Sequence, residues 1–201
     1  MTAPAPQSYD LFIVRSGGKR HLWRNPNAGV TVTDAGRDSR LSWQFEGREE
    51  SRLWTDIVAL TLSSATTGKN AVNHCRIDFR DGGWLLVTAA DASGLFDARR
   101  GPTYRAFVQA LHARLAQAPA GTIRFNAGIS GGRYKAMQIS VTIAALFFVA
   151  LPIGLLLVVR DLRALGVLAA GAALVWPFWK VLANNRPRRY DPRQPPDELI
   201  G

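Results

Sequence analysis

The chain has 201 residues, 47% of them hydrophobic, with 25 Lys and Arg against 15 Asp and Glu for a formal net charge of +10. That length allows one or two domains, and the single cysteine, Cys75, excludes an intramolecular disulfide framework and fits a reducing compartment. The basic excess, +7 over residues 1–135 and +3 over residues 136–201, points to nucleic acid or to an anionic membrane surface.

Residues 1–8 are Ala/Pro-rich and are expected to be loose, without the basic region and apolar run of a secretory signal. Short segments of β character follow. Leu11 to Val14 is apolar and closes at Ser16-Gly17-Gly18. Asn25-Pro26-Asn27-Ala28-Gly29 is a turn cluster before the β-branched run Val30 to Thr33. Leu41 to Phe45 alternates with Trp43 and Phe45 on one face, and Glu46-Gly47 reverses the chain. Arg52 to Leu62 reads as a strand entering and leaving through Thr55-Asp56. Cys75, Ile77 and Phe79 alternate before Asp81-Gly82-Gly83, and Trp84 to Thr88 returns, a strong hairpin signal. Strands this short between frequent turns predict an antiparallel sandwich or barrel. One segment differs: Tyr104, Phe107, Val108, Leu111 and Leu115 follow the spacing of an amphipathic helix. Gly101 is its expected N-cap, Pro102 its first position, and Pro119 and Gly121 its end. Thr122 to Phe125 could add a strand, and Gly128 to Gly132 reads as a flexible link.

Two membrane helices are predicted next. Ala136 to Val159 is 24 residues without a charge, longer than the ~20 that cross a hydrocarbon core. Arg160, Asp161 and Arg163 make a turn. Ala164 to Trp179 is again uncharged and spans if Leu162 and Val181 to Ala183 join it and Lys180 snorkels. No ionisable group sits mid-span, which argues against a pump or transporter. Pro152 and Pro177 require local adjustment. Ala150-x-x-x-Gly154 and Gly166-x-x-x-Ala170 have the spacing that permits close helix contact, and Trp176, Phe178 and Trp179 form an interfacial anchor. The tail, residues 184–201, holds four prolines among charges; a disordered tether is preferred to a segment lying along the β domain or binding a partner.

The order of elements (short strands, the Trp54-Thr55-Asp56-Ile57 entry into a central strand, the Asp81-Gly82 hairpin and one final amphipathic helix) resembles a pleckstrin-homology-like (PH-like) domain over about residues 10–126. The resemblance implies a curved seven-stranded sandwich with a C-terminal helix plugging one open end. It further implies a scaffold for lipid, peptide or protein, with no catalytic centre. With its membrane hairpin, the layout is similar to uncharacterised bacterial membrane proteins. The basic first hairpin of phosphoinositide-binding members is not matched: Lys19, Arg20 and Arg24 are near the place, but Leu22 occupies the position of the last Arg, so phosphoinositide binding is not carried over.

Catalytic and metal constellations are absent from the pattern. His21, His74 and His112 are not clustered. Cys75 alternates with apolar residues and reads as a small buried hydrophobe, far from the electropositive site a nucleophile needs. No phosphate-binding glycine loop occurs. Asp78 and Asp81 could pair as acid and base, but hairpin carboxylates are ordinarily solvated. The basic residues flanking the helices carry more weight: Arg99, Arg100, Arg124, Arg133 and Lys135 before the first helix, and Lys180, Arg186, Arg188, Arg189 and Arg193 after the second. They are topogenic, holding both flanks in the cytoplasm. Arg124, Arg133, Lys135, Lys180, Arg186, Arg188 and Arg189 are also candidate contacts for anionic headgroups or an acidic partner.

The expectation is an α+β membrane protein: a PH-like antiparallel β domain at 9–127, a linker at 128–135, a two-helix hairpin at 136–183 (helices 136–159 and 162–183) and a cytoplasmic tail. It would sit in a bacterial inner membrane with both termini cytoplasmic, as a non-catalytic binding or scaffold module. The alternative is an accessory subunit of a larger membrane complex, assembled, as a homo-oligomer would be, through the hairpin. Lipid is the expected partner; no cofactor, metal or nucleic acid is expected.

Overall fold

Alternating segments fold into strands and the apolar stretches into helices, over residues 7–16, 29–33, 40–45, 48–67, 70–91, 93–119, 121–159 and 163–200, which a computed structural model describes. Two units result: Met1–Ala127 together with Arg188–Gly201, and Gly128–Pro187.

In the first unit the strands are β1 (Gln7–Asp10), β2 (Phe12–Arg15), β3 (Gly29–Thr33), β4 (Arg40–Phe45), β5 (Arg48–Leu53), β6 (Ile57–Thr67), β7 (Asn70–Phe79), β8 (Trp84–Thr88), β9 (Arg124–Ala127) and β10 (Arg188–Arg189). They form a four-stranded sheet, β1-β3-β4-β5, and a six-stranded sheet, β10-β9-β6-β7-β8-β2. Two segments change sheet. The first strand divides at the buried Leu11, so that β1 pairs with β3 and β2 with β8. β5 passes into β6 through the 3-10 turn Trp54–Asp56, where the sequence places Thr55-Asp56. Sheets joined by such corners share one core: Trp43 of β4 stacks on Phe79 of β7 with centroids 5.8 Å apart, and Leu41, Leu60, Ile77 and Leu85 are fully enclosed. Among the described residues the sheets are not closed into a barrel.

The Asp81-Gly82 hairpin forms as its residues demand. Gly82 has φ +83°, a conformation glycine adopts at little cost. The Asp81 carboxylate accepts the Gly83 N–H at 2.9 Å. Helix α1 (Arg100–Leu115) buries Tyr104, Phe107, Val108, Leu111 and Leu115, the predicted stripe. Phe107, Val108, Leu111 and Leu115 each stabilise by about 1.5–3 kcal/mol. The helix starts before the expected Gly101 cap because Asp97 holds its entry: the carboxylate accepts the Arg99 N–H at 2.9 Å and the carbonyl the Arg100 N–H at 3.1 Å.

The structure corrects the sequence reading of the sheet and of the tail. The sheet is mixed, because α1 carries the chain back so that β9 runs parallel to β6, Ala59 to Leu62 pairing with Arg124 to Ala127. The tail is not a free tether. Arg188 pairs with Ala127 and Arg189 with Asn126, and Leu199 and Ile200 are 0% and 5% exposed within the core of this unit. Burying two apolar side chains outweighs a prolyl tail whose backbone freedom is already restricted.

In the second unit, α2 (Gly131–Ala145) begins inside the segment expected as a linker. It continues through a π-helical turn, Leu146–Ala150, into α3 (Leu151–Val159), and α4 (Arg163–Asn184) packs back on it. Both arms are long and apolar enough to cross a membrane. Leu157, Val158 and Trp176 are 74%, 82% and 69% exposed, a surface unsuited to water. The π turn is the adjustment to Pro152: the Leu151 N–H donates to the Leu146 carbonyl five residues back. The carbonyl of Phe148, which Pro152 cannot engage from four residues on, abuts Gly171 of α4, where an added Cβ would collide with it. A Cβ added at Gly154 or Gly166, of the two small-x-x-x-small pairs, would meet no atom of another segment within 4 Å among the described residues. The helices therefore approach at Gly171 and leave those glycines open.

Candidate functional site

The chemically versatile side chains of the β unit are enclosed. Cys75 is fully buried, and burial pushes its thiol well up. A thiol so held is neither nucleophile nor ligand. His112 is 3% exposed on the inner side of α1. Its Nδ1 lies 2.7 Å from the Val108 carbonyl, which can only accept, so Nδ1 carries the hydrogen. Nε2 then accepts from the Tyr190 hydroxyl at 2.7 Å. Burial lowers the His112 pKa, against a smaller opposite effect of the Val108 bond. Tyr190 also stands edge-on to Phe125 of β9, centroids 5.9 Å apart. This cluster joins helix, sheet and tail. Burial likewise lowers the pKa of His74. His21, Lys19, Arg20, Leu22 and Arg24 lie outside the described residues.

The hairpin carboxylates are engaged separately, Asp78 with Arg76 at 2.8 Å and Asp81 with Arg52 at 3.2 Å. The N–H of Gly83, with help from Arg52, holds the Asp81 carboxyl below the usual range. Arg100 is a fastener rather than a free cation: it donates to the Ala90 carbonyl at 2.9 Å and pairs with Asp10 of β1 at 3.2 Å. Among the described residues no three His, Cys, Asp or Glu side chains are grouped to hold a metal.

The seven candidate basic contacts fall into two groups. Arg133, Lys135, Lys180 and Arg186 are exposed in the helical unit. The Ile129 N–H donates to the Asn185 carbonyl at 3.1 Å, and Gly128 fits where any Cβ would strike the Asn185 and Arg186 carbonyls. The start of α2 and the end of α4 are thereby tied together, so these four cations share one end of the hairpin. Arg124, Arg188 and Arg189 are exposed in the β unit. Arg188 pairs with Glu198. Arg189 lies opposite Asn126 in the β9–β10 register, diagonal to Arg124 and on the same face.

Arg124 and Arg189 line a cleft of about 480 Å³ between the end of α1 and the β9–β10 edge. Leu115, Phe125 and Pro119 make apolar wall, and Tyr190, Asp191 and Arg193 complete it. Arg193 is returned to the cleft by a turn in which the Asp191 carboxylate accepts its N–H at 2.9 Å and the Asp191 carbonyl the Gln194 N–H at 2.9 Å. Comparison with family models, with curated proteins and with solved structures gave no match for this chain.

The sequence reading counted Arg193 only among the topogenic charges and missed Tyr190. The available signal was an isolated aromatic and a final Leu199-Ile200 pair in a tail otherwise polar and prolyl.

Proposed function

We propose that the chain is a non-catalytic binding or scaffold module, anchored by two spans in a bacterial inner membrane with its PH-like β unit at the cytoplasmic face. The observation that carries the reading is the pairing of a hairpin whose exposed surface is apolar with four cations at one end of it. Basic residues at helix ends favour the cytoplasmic side and anionic headgroups. Eight Lys and Arg flank the hairpin (Arg124, Arg133, Lys135, Lys180, Arg186, Arg188, Arg189 and Arg193) against Arg160 and Arg163 between the two apolar runs of the sequence. The PH-like reading draws support from the first strand shared between the two sheets, the β5–β6 corner and α1 on the core. It departs from that pattern in β9, β10 and the returning tail. The non-catalytic reading rests on Cys75 and His112 being sealed inside the fold.

Membranes from cells making the full chain provide the test. The protein should stay with the bilayer in alkaline carbonate and be released by mild detergent; release by carbonate alone would end the reading. The second reading, an accessory subunit, is favoured by the open backbone at Gly154 and Gly166. A stoichiometric partner retained in mild detergent and lost on Gly166→Leu would favour it over a module acting alone.

A further inference from the structure

We propose that the cleft bounded by Arg124, Arg189 and Arg193 is a binding site for a phosphomonoester, a tetrahedral oxyanion carrying close to two negative charges. The inference deepens the preceding reading, since it gives the binding module its ligand, and it rests on that reading for the ligand's access from the cytoplasmic side.

The first argument is geometric. Arg124 and Arg189 sit diagonally on one face of the β9–β10 pair, with Cα atoms about 7–8 Å apart by the ordinary geometry of such neighbours. Two guanidinium groups on stems of that spacing can reach one oxyanion from two sides, each through a two-bond fork. The Asp191 turn brings Arg193 to the same cleft.

The second argument is charge. Like charges held this close on one sheet face repel one another. Among the described residues none of the three guanidinium groups meets a carboxylate or another acceptor, whereas Arg188 has Glu198 and Arg100 has Asp10 and Asp97. The cleft also contains the Asp191 carboxylate, partly committed to the Arg193 N–H, and the C-terminal end of α1, which contributes about −0.5 charge. Three cations against these leave about +1.5, which a phosphomonoester of about −1.5 to −2 neutralises and a carboxylate of −1 does not.

The third argument is the wall. Leu115, Phe125, Pro119 and Tyr190 give the cleft an apolar side next to its cationic one. A ligand with a carbon body behind its phosphate therefore fits better than the ion alone. Two sources share this chemistry: the headgroup of a lipid such as phosphatidic acid, and a soluble phosphorylated metabolite.

The experiment uses the full chain in phosphatidylcholine nanodiscs at fixed ionic strength, read by phosphorus NMR. In one arm inorganic phosphate is added; in the other a minor fraction of phosphatidic acid replaces phosphatidylcholine. Saturable broadening of the resonance of the added phosphate group, inorganic phosphate or phosphatidic acid, is expected in at least one arm. It should weaken by roughly tenfold or more in Arg189→Gln and in Arg193→Gln, the loss of one charge-assisted fork. It should be unchanged in Arg48→Gln, an exposed charge of β5 outside the cleft. Binding in the lipid arm alone assigns the membrane as the source; binding of inorganic phosphate assigns a soluble ligand, with the lipid arm then read by competition. Saturable binding in neither arm, or equal weakening by Arg48→Gln, overturns the site. Either failure leaves membrane insertion untouched, and a failed carbonate test would leave phosphate binding by the purified chain untouched, so the two ideas fail separately.

Discussion

Removing one oxygen tests whether the C-terminal tail is part of the fold. In Tyr190→Phe the ring still meets His112 and Phe125, at centroid distances of 5.6 and 5.9 Å. His112, 3% exposed, loses the hydroxyl that donates to Nε2. A buried acceptor left without a donor costs about 1–3 kcal/mol. For a unit of this size each kcal/mol lowers the melting temperature by about 2–4 °C, so a drop of about 2–12 °C is expected, followed by tryptophan fluorescence in mild detergent. His112→Leu removes the partner instead. The double variant Tyr190→Phe/His112→Leu should be more stable than the sum of the single losses implies, by about 0.5–3 kcal/mol, since an apolar pair leaves nothing unsatisfied. An unchanged melting temperature in Tyr190→Phe, together with strict additivity in the double variant, would refute the reasoning.

Three further outcomes follow from the same contacts. The β unit should lose stability as the pH falls below about 6.5: burial lowers the pKa of both His112 and His74, so the unfolded chain binds protons that the folded chain does not. Full stability is therefore expected above that pH, and a flat denaturation midpoint between pH 7.5 and 5 would contradict the buried neutral imidazoles. Replacing Gly128–Pro187 by Asn-Gly should give a soluble β-rich monomer that melts cooperatively, because Arg188 already pairs with Ala127 and the turn only closes that hairpin; an aggregated or non-cooperative product would show that the β unit needs its helices. Gly171→Val should destabilise the helical hairpin by about 1–3 kcal/mol in detergent unfolding, through collision with the Phe148 carbonyl, while Gly166→Ala is neutral or mildly stabilising; equal behaviour of the two would remove Gly171 as the contact point.

What the sequence disclosed was local. The Asp81-Gly82 hairpin, the turn at Thr55-Asp56 and the stripe from Tyr104 to Leu115 each follow from residues within a few positions of one another, where backbone sterics and helical or strand periodicity decide. The tail's place depends on contacts such as Tyr190 with His112, 78 residues apart, and no local preference encodes them. The parallel β9 was hidden for the same reason: Arg124 to Ala127 reads as a short strand in any sheet, and only α1's return path sets its direction. The basic residues were visible individually. Their division between a hairpin end and a cleft arises from the β9–β10 register, and Arg193 joins the cleft through a turn set by Asp191. The helices were legible because hydrocarbon demands an uninterrupted apolar run, but their contact at Gly171 is fixed by the carbonyl that Pro152 frees.

Orientation in the membrane is the most direct test of an anchored cytoplasmic module. In a Cys75→Ala background, Leu162→Cys marks the charged stretch between the two apolar runs of the sequence and Gln194→Cys marks the tail packed on the β unit. In intact cells a membrane-impermeant thiol reagent should label the first and spare the second until the membrane is permeabilised. Labelling of Gln194→Cys in intact cells, with Leu162→Cys protected, would place the β unit outside and contradict the account.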